Sequence, residues 1–194
     1  MTKEVIITLP DERLRQKSDK VHIITDEVIK LVDDLKKVAL DWEDSRPHEA
    51  SAAISAVQIG VMQKVIIVRN DFDDKSNRNF TALINPKIVK FEGKIVEDYE
   101  GCLSVPDVYG KVPRHDKIRV KAMDINGNEV KFKSEGFLAR ILQHEIDHTN
   151  GIPFIDRIKD EKDSYFKLDD NGELRPLDYE KYIKNNSILW DWRF

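Results

Sequence analysis

Cys102 is the only cysteine in the 194 residues, so no internal disulfide can staple the chain. In a reducing compartment, a lone cysteine is either an inert small core residue or a working thiolate. Long apolar runs are also missing. The opening Val5-Ile6-Ile7 is too short for a signal-peptide core, and no stretch reaches transmembrane length, so the expectation is a soluble cytoplasmic protein. Excess charge of one sign is absent too. Lys and Arg number 32 against 36 Asp and Glu, a net charge of -4, which gives no footprint for polyanions and argues against specific nucleic-acid binding. Neither an internal repeat nor a low-complexity tract interrupts the pattern, and the length suits one domain with a substantial core.

What is present centres on Gly136 to Asn150, GFLARILQHEIDHTN. Phe137, Leu138, Ile141 and Leu142 recur at helical spacing, Ser134-Glu135-Gly136 suits a helix start, and Asn150-Gly151 with Pro153 suits a stop. The apolar stripe continues towards His144 and His148, which are therefore expected to face inward. Within it, His144-Glu145-Ile146-Asp147-His148 is an instance of H-E-x-x-H. Four helical residues turn through about 400°, so the imidazoles lie about 40° apart and can grip one divalent ion. Glu145 falls at the edge of the same face, where a carboxylate can take a proton from water activated by that ion. The same five residues also suit a salt-bridged polar helix surface, so the metal reading needs a third ligand.

Upstream, Val28, Leu31, Val32, Leu35, Val38, Ala39 and Trp42 mark the clearest amphipathic helix, from Asp26, with Thr25 as its N-cap. A run of small residues, Ala50 to Gly60, follows and carries one amide, Gln58. Lys64 to Arg69 and Ala82 to Asn85 read as strands, the second stopped by Pro86, and Lys87 to Glu97 offers a further β-like stretch broken at Gly93. Lys117 to Met123 and Glu129 to Lys133 alternate around Asn126-Gly127, a hairpin signal. Strands in the middle, with a helix on either side, suggest an α+β fold rather than βαβ alternation. The charged segment beyond Ile158 regains apolar residues at Tyr179, Tyr182, Ile183, Ile188, Leu189, Trp190, Trp192 and Phe194. The expected division is a catalytic body, 1–158, and an extension, 159–194, packed on it.

The third ligand is sought in Glu100-Gly101-Cys102-Leu103-Ser104. Glycine beside the cysteine permits unusual backbone angles or close approach. A thiolate with two imidazoles leaves a position open, the pattern of catalytic metals. His22, His48 and His115 lie among charged or turn-like residues and read as surface.

Taken together, Gln58-Ile59-Gly60, EGCLS at Glu100 to Ser104 and QHEIDH at Gln143 to His148 closely resemble the peptide deformylases. Asp11 to Arg15 and Val112-Pro113-Arg114 extend the resemblance, which runs from about Leu9 to Ile158. It implies antiparallel sheets around a central metal-binding helix, and removal of the formyl group from the N-terminal methionine of nascent polypeptides. It further implies that Cys102, His144 and His148 hold one divalent ion, natively Fe2+, with Zn2+, Ni2+ or Co2+ as replacements in preparations. Glu145 would move the proton, and Gln58 and the Leu103 N–H would meet the oxyanion. Ile54, Leu138 and Ile141 would line the methionine pocket, with Ala53 and Tyr109 near the substrate. Emerging chains as substrate imply transient ribosome association; no membrane partner is implied.

The first motif departs from the family's G-x-G-L-A-A-x-Q-[VI]-G. Ser51 and Ala53 replace the glycines, and Ser55 replaces an alanine. If positive φ is required at position 53, alanine costs energy or shifts the loop. Two other readings stand beside this one: a zinc peptidase, which ordinarily draws its third ligand from downstream, and a silent metal-holding binding protein.

Overall fold

A computed structural model describes residues 6–46, 49–74 and 76–190. Helix α1, Asp26–Asp44, buries Val28, Leu31, Val32, Leu35, Val38 and Ala39, the stripe that the spacing predicts, after Thr25 as N-cap. Helix α2, Gly136–His148, is the metal-motif helix and is buried almost throughout from Ala139 onward. Seven strands form one antiparallel sheet: β1, Ala53–Ser55; β2, Val65–Arg69; β3, Phe80–Cys102; β4, Val105–Met123; β5, Glu129–Glu135; β6, Tyr165–Leu168; and β7, Leu174–Pro176. Their order is β1-β2-β3-β4-β6-β7, with β5 also paired to β4.

Strand alternation explains how the sheet separates two cores. All five residues of β2 are buried. Val65 and Ile67 join the α1 core with Leu35, Ile54 and Ile84, while Ile66 and Val68 join the α2 core with Ile141, Leu142 and Ile146. Strands β1 to β5 all touch α2, so the metal-motif helix is enclosed on the sheet side.

The hairpin expected at Asn126-Gly127 is present, with Met123 paired to Glu129 and Gly127 at φ 83°. Pro86, however, does not end its strand. Register shifts between Ile84 and Lys87, and again between Glu92 and Ile95, absorb the proline and Gly93 as bulges, and β3 runs on to Cys102. Asn85 takes φ 51° at the first shift. Its amide exchanges two hydrogen bonds with the Val21 backbone, at 2.9 and 2.7 Å, and anchors the bulge.

Strand β5 passes directly into α2 at Gly136, and the helix closes two residues before the predicted end. Gly151 and Ile152 donate to the carbonyls of His148 and Asp147, both at 3.0 Å. Gly151 has φ 75°, and a Cβ there would lie 2.6 Å from the backbone of Arg15.

Beyond residue 158, β6 pairs with β4 through Tyr109↔Phe166 and Gly110↔Tyr165, a strand addition that the charged sequence does not announce. Short helices α3, Tyr179–Tyr182, and α4, Ser187–Trp190, follow. Ile183 and Leu189 are buried with Leu14, Val57, Phe154 and Tyr165. Tyr182 and Ile188 face outward, and Trp192 and Phe194 lie outside the described residues. Arg15 ties the two ends of the chain together, reaching Asp156 at 2.7 Å and the Leu189 carbonyl at 2.8 Å.

Two substitutions test this packing in urea denaturation. Gly151→Ala should destabilise by at least about 2 kcal/mol, because the left-handed φ and the backbone contact act together. Ile183→Ala, which empties a fully buried site, should cost about 2–5 kcal/mol.

Candidate active site

Cys102 is the last residue of β3 and pairs with Val105 across the turn Leu103-Ser104. This hairpin tip meets the buried face of α2. One potential ligand atom each from Cys102, His144 and His148 lies within 4.8 Å of the others. The Cys102 Sγ is 3.1 Å from His148 Nε2. His144 has its Nδ1 2.9 Å from Glu100 Oε2, which leaves Nε2 as its ligand atom. Gly101 serves close approach rather than an unusual backbone angle: its φ is not positive, and a Cβ there would sit 2.6 Å from the Tyr109 ring.

Glu100 anchors the surroundings. It receives Arg114 through both oxygens at 2.9 Å and Arg140 at 2.8 Å. Arg114 also reaches Asp147, which Arg157 grips at 2.5 and 2.6 Å. Burial alone would push the Glu100 carboxyl up, but Arg114 and His144 outweigh it and hold its pKa well below the ordinary value. Burial likewise opposes a charge on His144. The Cys102 sulfur and Glu100 overcome that, and its pKa lies well above the ordinary value. The convergence of one sulfur and two imidazole nitrogens makes a place for a divalent cation. The soft sulfur with two imidazoles matches what such an ion takes, and the donor set fits a metal. Burial and the neighbouring His144 hold the His148 pKa well below its ordinary value.

Glu145 is 4% exposed, and burial raises its pKa. Its Oε2 accepts from Ser55 Oγ. Gln58 turns its Nε2 towards the same point, 3.3 Å from Ser104 Oγ and 3.6 Å from Cys102 Sγ, while its Oε1 accepts from Ser55 N at 2.9 Å. Gln58, Cys102, His144 and Glu145 line a cleft of about 920 Å³ together with Ala53, Leu103, Tyr109 and Ile141. Tyr109 donates its hydroxyl to Glu49, and burial together with that carboxylate pushes its pKa up.

Two expected lining residues are elsewhere. Ile54 points away from the cleft into the α1 core, because alternation along β1 sends Ala53 and Ser55 to the opposite face. Leu138 packs against the α2 core, and Phe137, one residue earlier, lines the cleft above Ile141 and Glu145. Neither Ser51 nor Ala53 has positive φ, so the replaced glycines leave no backbone strain. His115 is half-buried against Phe91 rather than a surface residue, and its backbone is bonded to Gln143. His22 is exposed, and His48 lies outside the described residues.

In the sequence Ser55 stands out only as a replaced alanine, and Glu100 only as part of EGCLS. Spacing gives one signal for Glu100: it stands two residues before Cys102 on one strand and so shares its side. The cleft also takes in Lys167 to Leu174 of the β6–β7 hairpin.

Comparison with known proteins agrees with this arrangement. Residues 3–164 match the family model described as polypeptide deformylase. The peptide deformylase of Brachyspira hyodysenteriae is 38% identical over 190 residues, 97% of this chain and 92% of that protein. That of Thermomicrobium roseum is 41% identical over 176 residues, 89% and 96% of the two chains. The crystal structure of peptide deformylase from Ehrlichia chaffeensis in complex with actinonin superimposes with a TM-score of 0.73 at 34% identity, covering 84% of this chain and 92% of that one. Because the matched region contains both the β3 tip and α2, and whole relatives align at this identity, the chain belongs to the peptide deformylase family.

Proposed function

We infer that this chain is a metal-dependent hydrolase that removes the N-formyl group from the N-terminal formylmethionine of nascent polypeptides and releases formate. The observation that carries the reading is the meeting of Cys102, His144 and His148 beside a buried Glu145 at the head of an open cleft. Those three side chains would hold one divalent ion, which when bound supplies Lewis acidity and makes water a nucleophile at neutral pH.

Glu145 takes the proton from the attacking water and delivers it to the departing amine. Its burial suits both halves of this task, since a raised pKa brings it nearer the working range of a general base and acid. Gln58 Nε2 and the Leu103 backbone N–H donate to the carbonyl oxygen as charge develops. Gln58 is already fixed by its other amide atom on Ser55. A preorganised donor of this kind is worth about 3 kcal/mol. Ala53, Tyr109 and Ile141 border the substrate; Phe137 adds an apolar wall and takes over the lining role first expected of Leu138.

The native ion is ferrous iron, with zinc, nickel or cobalt as replacements. One thiolate and two imidazoles support a later divalent metal over magnesium or calcium. The enzyme works in the cytoplasm, in transient association with ribosomes, where formylated chains emerge. Among the described residues no helix is long and apolar enough to cross a membrane, and the near-balanced charge supports the absence of specific nucleic-acid binding. Residues 1–158 form the catalytic body, and 159–194 are an extension held to it by β6 and by Ile183 and Leu189.

Formate release from a short N-formyl-methionyl peptide, by protein prepared anaerobically with iron, is the deciding assay. Glu145→Ala should bind the metal as wild type does and lose at least about 10²-fold in kcat; an active variant would remove the proposed base. Cys102→Ser should lower bound iron, since a harder oxygen replaces the thiolate. Unchanged iron content and activity would exclude Cys102 as a ligand.

A further inference from the structure

We infer that Ser55 is a positioning residue for this reaction, its hydroxyl fixing the carboxylate of Glu145 while its backbone N–H fixes the amide of Gln58. The inference rests on the reading of Glu145 as the proton-moving group. Ser55 is fully buried at the end of β1, where its backbone pairs with Ile66 of β2. Its Oγ has two neighbours on Glu145, the carboxylate Oε2 and, at 3.2 Å, the backbone carbonyl. A hydroxyl has one proton to give, and the charged carboxylate is the stronger acceptor.

Among the described residues, Ser55 gives the Glu145 carboxylate its only hydrogen bond. Without it, a carboxylate at the end of two rotatable carbons has no group to fix its plane. With Oε2 engaged, Oε1 is the oxygen left for the proton in transit. The same residue also donates its N–H to Gln58 Oε1 at 2.9 Å, which turns Nε2 towards Cys102 and Ser104. The base and the oxyanion donor are thus referenced to one point on the sheet. The backbone half of this device survives any substitution other than proline. The hydroxyl half does not, and alanine stands there in the family's usual pattern, so its loss should cost a rate factor and not abolish turnover.

A double-mutant cycle of Ser55→Ala and Glu145→Ala, with Ser55→Thr as the conservative variant, tests the assignment on the iron-loaded full chain. Steady-state kinetics on the formyl-methionyl peptide, iron per chain and melting temperature are read for each. Ser55→Ala should lower kcat about tenfold, in the range for groups that orient reacting residues, with KM and iron content unchanged. Ser55→Thr should restore most of the loss. In the Glu145→Ala background, Ser55→Ala should change neither kcat nor melting temperature further. An unchanged kcat in Ser55→Ala, with Glu145→Ala inactive, would overturn the role of Ser55 and leave that of Glu145 standing. Full activity in Glu145→Ala would instead sink the reading beneath it. A loss in Ser55→Ala that persists undiminished without Glu145 would make Ser55 a packing residue only. The cycle decides the matter even where threonine is not accommodated.

Discussion

A helix that carries Arg140, Gln143, His144, Glu145, Asp147 and His148 into the interior has to find partners for charged and polar groups that water would otherwise serve. That requirement shapes the parts of the sheet around α2. Glu100 on β3 and Arg114 on β4 meet across the ribbon, and together they engage Arg140, His144 and Asp147. Arg140 also takes the carbonyls of Val96 and Val112, both at 2.7 Å, so the backbones of β3 and β4 are held to the helix as well. Buried ion pairs contribute little net stability over well-packed apolar groups. What this network supplies is a fixed orientation for His144 and a fixed approach of the ribbon tip.

Period-two alternation does much of the remaining work. Glu100 and Cys102, two apart on one strand, share a face, so β3 delivers one member of the Cys102, His144 and His148 cluster and the group that orients another. Ala53, which lines the cleft, and Ser55, which meets Glu145, share one face of β1 in the same way, and Ile54 between them serves the α1 core. On α2 the helical period plays the equivalent part. Phe137, Ile141 and His144 fall on the cleft side, and Leu138 and Leu142 turn to the sheet. One short stretch of chain therefore meets two demands at once, packing on one side and chemistry on the other.

The helices and the Asn126-Gly127 hairpin were legible because their signals are local: periodicity, a cap, a turn dipeptide. The Cys102, His144 and His148 cluster was legible because the spacing and neighbours of its members are distinctive. What stayed hidden depends on contacts remote in sequence. Ser55 gains its meaning from a carboxylate 90 residues away, and nothing in its own neighbourhood predicts that meeting. The run of β3 past Pro86 depends on a bulge that Asn85 anchors to Val21, 64 residues earlier. Strand β6 is four residues that follow a charged run, and its partners, Tyr109 and Gly110 of β4, lie far earlier in the chain. Ile54 and Leu138 are apolar and close in sequence to the site, and only the faces of β1 and α2 turn them away from the cleft.

The side chains of Cys102, His144 and His148 also sit at the two ends of a long loop. Cys102 closes β3, and His148 closes α2 46 residues later. An ion held by them would bridge the ribbon tip to the helix across that span, and in a chain with one cysteine it would serve where a disulfide cannot. Unlike a covalent staple, this one would be in exchange with solution. The entropy of closing the loop would then be tied to the free concentration of the metal, and the supply of the ion would set the tightness of the fold along with the rate of the reaction.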